Sequence, residues 1–405
     1  MPQVPLHPDA LTPDPTYGRP QRVDADGWNR YGLRPTAWCT DGSWRPGERW
    51  NGCVDVPIGT EDGRRDVLVD FGCELEAELV LRLHLGGICN CYITLGESEP
   101  EARGEGGYGQ GRWMQVRAFF IDTPGEHEIR VPRWGFRFAR LQFHDIAADD
   151  RLLDCHADAV FVGEGQAGDF RCPDDPVLQR LWHTSLYTAR MCTRPDDLWD
   201  GIKRDRLGWY GDARVTQLAL DGGYLMADPA LTMLARLPTD DWVNGIPNFS
   251  FDAVMMLRDL VLVHGCDLPG LCERLQQVDA FLDWVAGSQC DGTGFVQRTD
   301  RKLQFGFGFL DWSAMPVGGR LEEQACLQLK YREALQAARD LHEWSGADVR
   351  AQRYRERSAA LAASIADRFA CPGGFHHTLR CIRPGFEKYA PGWDGPSYAA
   401  DGPDL

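Results

Sequence analysis

Three carboxylates lie within thirteen residues of this chain, at Asp200, Asp205 and Asp212. Basic, aromatic and glycine residues separate them, in the order Asp200-Gly-Ile-Lys-Arg-Asp-Arg-Leu-Gly-Trp-Tyr-Gly-Asp212. A carboxylic acid can protonate a glycosidic oxygen, while guanidinium groups and flat rings can bind the hydroxyls and faces of a sugar. These residue types in this spacing favour a sugar-binding cleft. The alternative is a salt-bridged surface loop, which most mixed-charge runs form.

Two acid–aromatic pairs, Asp241-Trp242 and Asp311-Trp312, lie in predicted loops further along the chain. The rings of Trp242 and Trp312 suit stacking on a sugar face, and Asp311 could bind its hydroxyls. The alternative is that the rings pack between helices and the acids cap helix ends. Both interpretations remain open at the level of sequence.

The elements that must position these residues change character along the chain. Residues 46–168 have a period of two, clearest in Leu79, Leu81, Leu83 and Leu85, with glycine- and proline-bearing turns between the apolar runs. Short alternating strands with such punctuation predict an antiparallel β-sandwich.

Residues 169–372 have a helical period instead. Asp175 followed by Pro176 predicts a helix start. Later helices are expected at roughly 213–224, 229–237, 250–264, 270–286, 318–345 and 348–369. Successive helix pairs joined by glycine- and proline-bearing loops predict an array of αα-hairpins, and its loops would form a site.

The two ends of the chain lack a clear period. Residues 1–45 are rich in proline and polar residues and are expected to form an extended arm. Residues 373–405 are expected to be an irregular tail.

Composition narrows the class of partner. The formal net charge of −17 disfavours nucleic acid and anionic membranes as partners, because both attract basic surfaces.

The sequence shows no signal peptide and no apolar stretch of membrane-spanning length, which predicts a cytoplasmic protein. The 14 cysteines match no zinc signature, and no cofactor motif is present, so neither a metal nor a cofactor is expected.

The chain resembles the bacterial α-L-rhamnosidases, which are inverting glycosidases with an (α/α)6 six-hairpin barrel behind β-sandwich domains. The thirteen-residue run from Asp200 to Asp212 is similar to their acid-bearing signature. Weaker similarities follow the family's order, in four further segments: Leu95–Ala102, Phe138–Leu141, Gly245–Ser250 and Phe309–Trp312. The resemblance implies a β-sandwich followed by a partial six-hairpin toroid, and a small carbohydrate or rhamnoside as substrate.

Residue by residue, the resemblance implies that Asp205 is the general acid, often a Glu in relatives. Asp200 and Asp212 match carboxylates that hold sugar hydroxyls, and Trp209 matches an aromatic residue of the pocket. Arg204 would orient a carboxylate or bind the substrate.

Inverting hydrolysis also needs a second carboxylate to activate water. In the family this Glu lies on a later hairpin, and a full barrel needs twelve helices where we expect about seven. The sequence therefore predicts a C-terminally truncated relative that self-associates through exposed helix faces. The alternatives are a truncated or inactive carbohydrate-binding relative, and a six-hairpin hydrolase for another sugar.

Overall fold

The computed structural model describes most of the chain, in the ranges 22–23, 27–40, 42–46, 56–105, 115–163, 168–203, 205–297, 324–371 and 374–375. Two compact units divide it. The first comprises Met1–Pro195, Trp199–Leu207 and Gly222–Tyr224. The second comprises Asp196–Leu198, Gly208–Asp221 and Leu225–Leu405.

Antiparallel strands build the first unit. Their bounds are β1 (Arg22–Val23), β2 (Trp28–Leu33), β3 (Ala37–Cys39), β4 (Trp44–Pro46), β5 (Val56–Pro57), β6 (Arg64–Leu85), β7 (Cys89–Gly96), β8 (Gln115–Ile121), β9 (Gly125–His144) and β10 (Arg151–Val162). Along the main path of hydrogen bonding the order is β1-β2-β10-β6-β9-β7-β8, and β3, β4 and β5 pair beside it.

The predicted antiparallel sandwich is confirmed. In β6 the side chains of Leu79, Leu81, Leu83 and Leu85 are all buried, as their alternation implies. They join one large apolar cluster with side chains of β7, β9 and β10. The sequence therefore places the inward face of this sheet correctly.

Strand β6 is not regular throughout. Its register with β9 shifts between Asp70 and Leu75 and again between Ala77 and Leu79. Such bulges bend a strand and turn individual side chains away from simple alternation. Glu76 lies on the short segment between the two shifts.

Helices follow the strands. Their bounds are α1 (Glu99–Ala102), α2 (Pro176–Met191), α3 (Tyr210–Gly223), α4 (Asp228–Leu234), α5 (Pro247–His264), α6 (Leu271–Trp284), α7 (Ala325–Trp344) and α8 (Asp348–Phe369). The predicted start of α2 is confirmed: the Asp175 carboxylate accepts hydrogen bonds from the backbone N–H groups of Val177 and Leu178. Helix α2 belongs to the first unit.

The second unit is built around α5, whose side chains are buried over most of its length. Helix α7 packs against both α5 and α8, and the short connection 345–347 joins α7 to α8. These hairpins confirm the predicted fold class, a β-sandwich followed by part of a six-hairpin array. None of the helices in the described residues is long and apolar enough to cross a membrane.

Two boundary expectations fall partly outside the described residues. The helix expected at 318–345 begins at Ala325, and 318–323 are not described. Of the expected tail, Gly374–Phe375 pairs with Ala370–Cys371 as a short hairpin, and residues from 376 onward are not described.

Candidate functional site

The thirteen-residue signature is divided between the two units. Residues 200–207 belong to the first unit and residues 208–212 to the second. Arg204 lies outside the described residues, as do Asp311 and Trp312.

In the first half, Asp200 closes a loop. Its backbone N–H donates to the Leu207 carbonyl at 3.0 Å, and its Oδ1 accepts from the Leu207 N–H at 3.1 Å. Asp205 lies within this loop and is half-buried. The carboxylate of Asp200 thus has a structural role in addition to the ligand contact that the sequence suggests.

Side chains on either side of Asp205 anchor the loop to the sandwich. Ile202 joins the apolar core and packs on Gly135, where a Cβ would lie 2.8 Å from Ile202 Cγ1. Lys203 is buried and forms an ion pair with Glu101, and its Nζ lies 3.8 Å from Glu97 Oε2. One apolar contact and one ionic contact therefore fix the loop to the sandwich.

A third anchor is Arg206, which follows Asp205 directly. Its φ is +56°, in the left-handed region that side-chain-bearing residues rarely adopt. Its Nη2 donates to Oε1 of Glu76 at 3.0 Å. Glu76 has 0% of its surface exposed and also pairs with Arg194, at 2.7 Å, and Arg133, at 3.4 Å.

The three arginines alternate with three tryptophans in a single stack, which we call the arginine–tryptophan ladder. Its order is Arg133, Trp28, Arg194, Trp199, Arg206 and Trp134. The guanidinium carbons lie 3.8 to 5.3 Å from the ring centroids, within the range of cation–π attraction. Burial lowers the pKa of Arg194 to about 10, although the Glu76 carboxylate opposes that shift.

The second half of the signature is held by close backbone approach. A Cβ on Gly208 would lie 2.4 Å from the Asp197 carboxylate, and one on Gly211 would lie 2.4 Å from the Phe249 ring. The half-buried ring of Trp209 meets Phe249 edge to face at 6.4 Å. The two glycines therefore allow contacts that any larger residue would prevent.

An amide side chain completes this half. Asn244, with φ +54°, accepts from the Tyr210 N–H at 3.2 Å and donates to the Gly208 carbonyl at 3.3 Å. The Tyr210 hydroxyl donates to the Met233 carbonyl, and burial raises its pKa to about 12. Asp212 is exposed in the first turn of α3, a favourable place for an acid.

Trp242 requires a correction. Only 3% of its surface is exposed, and its ring packs against Phe251, Phe281 and Trp284. A ring enclosed by aromatic neighbours offers no face to a sugar, so the alternative of core packing describes it. The Asp241 carboxylate accepts a hydrogen bond from the neighbouring Trp242 N–H at 2.8 Å.

Two further residues of this region, Glu76 and Asn244, are not among those that the sequence predicts. Glu76 lies on the polar side of an alternating strand, where a solvent-exposed position is the ordinary expectation. Asn244 precedes a glycine, and the Asn-Gly pair is a turn signal that could have indicated its left-handed backbone.

The family model described as the bacterial alpha-L-rhamnosidase 6 hairpin glycosidase domain matches residues 165–380. No curated protein matches the chain in sequence.

Among solved structures, the chain is similar to a rhamnosidase from Klebsiella oxytoca with rhamnose bound, with a TM-score of 0.67 and 19% identity over 94% of this chain and 76% of that one. A GH78 family rhamnosidase of Bacillus sp. GL1 has a TM-score of 0.66 and 19% identity over 81% of this chain. The α-L-rhamnosidase from Dictyoglumus thermophilum has a TM-score of 0.61 and 12% identity over 89%. The chain spans only 34% and 39% of the latter two, and at these identities the likeness shows the fold.

Proposed function

Since the chain belongs to the bacterial α-L-rhamnosidase family through its six-hairpin glycosidase domain, we propose that it cleaves terminal α-L-rhamnosyl residues with inversion, and that Asp205 is the general acid. The observation that carries this proposal is the loop 200–207. The residues beside Asp205 are anchored to the sandwich, while Asp205 itself is half-buried. A proton donor needs such a fixed position with access to the leaving group.

The remaining signature residues take the supporting roles. Asp200 and Asp212 bind the sugar hydroxyls, and Arg204 orients a carboxylate or binds the substrate. Trp209 offers an aromatic face. We assign Asp311 and Trp312 to sugar binding as well, on the sequence pattern alone. In this mechanism Asp205 protonates the glycosidic oxygen as the bond to the anomeric carbon breaks. A second carboxylate, which the family carries further along the barrel, activates the water that attacks the opposite face.

The direct test is hydrolysis of an aryl α-L-rhamnoside by the chain and by Asp205→Asn. Loss of general-acid help costs about 10²–10⁴-fold in rate. The matched control is Asp174→Asn, an exposed aspartate of the first unit that should leave the rate unchanged. An Asp205→Asn variant as fast as the parent would remove Asp205 from this role.

Two further measurements separate the alternatives. Calorimetry that detects rhamnose binding without any turnover would indicate a sugar-binding relative rather than a hydrolase. A panel of aryl glycosides decides the sugar, since pocket contacts rather than the fold set specificity. Faster hydrolysis of a different aryl glycoside would show that the substrate sugar is not rhamnose.

A further inference from the structure

Asp205 is followed by a residue in an unfavourable backbone conformation. A left-handed backbone is unfavourable for a residue with a Cβ, because the Cβ comes too close to the following carbonyl oxygen. Such strain persists only where surrounding contacts impose it, and it gathers at functional sites. In this loop the contacts come through the side chain of Arg206, which φ +56° directs into the ladder.

Glu76 is the common partner of that ladder. It lies within ion-pair distance of Arg133, Arg194 and Arg206, and it is fully buried. Its removal would leave a buried guanidinium at Arg194, which has 4% of its side chain exposed, without its carboxylate. Glu76 therefore fixes the arginines in place, while the tryptophan rings set their spacing.

The sheet carries a comparable pair that does not reach the signature. Arg137 donates two hydrogen bonds of 2.8 Å to Asp70, which is also buried. Asp70 and Arg137 lie on β6 and β9, and neither belongs to the loop. The Asp70–Arg137 pair therefore provides a matched control on the same two strands.

We propose that Glu76 is a positioning residue: through Arg206 and the arginine–tryptophan ladder it holds the backbone beside Asp205 and so aims the proton donor. Its role in catalysis rests on the proposed function. Its role in holding the loop does not, and the two can be measured separately.

The first measurement is amide hydrogen exchange in the full chain. Glu76→Gln and Arg206→Lys should each speed exchange in residues 200–207 by about tenfold or more. The lysine retains a charge but cannot pair and stack as a planar fork. Asp70→Asn, the matched control, should leave exchange of this loop unchanged. Loop exchange unchanged in Arg206→Lys would overturn the proposal, even if Glu76→Gln does not fold.

The second measurement is kinetic and uses two aryl α-L-rhamnosides, with a phenyl and a dinitrophenyl leaving group. Dinitrophenolate leaves without protonation, so a misplaced acid affects only the phenyl substrate. For Arg206→Lys, kcat on the phenyl substrate should fall about 10–100-fold, while KM and the dinitrophenyl rate change little. The control Arg130→Lys alters an exposed arginine of β9 and should change neither rate.

The outcomes distinguish the two proposals. Equal loss on both substrates, or no loss, contradicts the positioning role while the glycosidase activity stands. If the parent chain hydrolyses neither substrate, the proposed function fails, and the exchange experiment alone decides whether Glu76 holds the loop.

Discussion

The two halves of the signature are stabilised by different kinds of interaction. Residues 200–207 are fixed by buried charge, by stacked guanidinium groups and by one apolar side chain. Residues 208–212 are fixed by glycines that allow close contact and by the amide of Asn244. One continuous motif can therefore be disrupted in two ways, by removing a charge from the first half or by adding an atom to the second.

The largest effect is expected when the carboxylate of Glu76 is removed. Breaking a buried ion pair on one side costs about 3–5 kcal/mol, because the remaining charge stays buried. Glu76→Ala should lower the free energy of unfolding by that amount in urea titration. Glu78→Ala, two residues along β6, loses only a partly exposed contact of 3.6 Å with Arg130 and should cost less than about 1 kcal/mol. Equal small losses at both positions would contradict the difference drawn between buried and surface charge.

A smaller effect is expected from one added methyl group in the second half. Gly211→Ala places a Cβ against the Phe249 ring, and such overpacking costs about 1–3 kcal/mol. Gly222→Ala lies on the same helix with no atom within 4 Å of the new Cβ, and should stabilise slightly by helix propensity. Thermal unfolding of both variants measures the contrast. A stable Gly211→Ala would show that this contact is not tight.

Two substitutions at Asn244 separate the contribution of the backbone conformation to stability from that of the side-chain hydrogen bonds. Asn244→Gly keeps easy access to φ +54° but loses both side-chain hydrogen bonds, each of which contributes about 1 kcal/mol. Asn244→Ala loses the bonds and also strains the backbone, so it should cost about 1 kcal/mol more. Denaturant unfolding of the pair gives the two contributions. If the glycine and alanine variants lose the same free energy of unfolding, the left-handed backbone does not strain alanine at this position.

In the second unit, away from the signature, the charged carboxylate of Asp279 also stabilises the fold. Burial alone would raise the pKa of Asp279, but hydrogen bonds from His342 and Tyr354 outweigh it and lower the pKa below its ordinary value. A lowered carboxyl pKa stabilises the fold above the unfolded value of about 3.9 and is lost as pH falls. The stability gap between the parent and Asp279→Asn should therefore be largest near neutral pH and narrow below about pH 4. A gap that widens on acidification would reverse the assigned direction.

The sequence predicts the elements better than the contacts that hold the site. Alternating leucines in β6 and Asp175 before Pro176 are local signals, and the sandwich and the start of α2 follow from them. Glu76 could not be found in this way, because two register shifts and a covering loop bury a residue that alternation places outside. Trp242 shows the same limit, since a loop tryptophan can stack on a ligand or enter a core, and only packing decides.

The most direct test of the proposed general acid is how the rate of Asp205→Asn depends on the leaving group. If Asp205 donates the proton, the variant should lose about 10²–10⁴-fold in rate on phenyl α-L-rhamnoside. It should lose little on the dinitrophenyl substrate, whose leaving group needs no protonation. An equal loss on both substrates, or no loss on either, would contradict the assignment of Asp205 as the general acid.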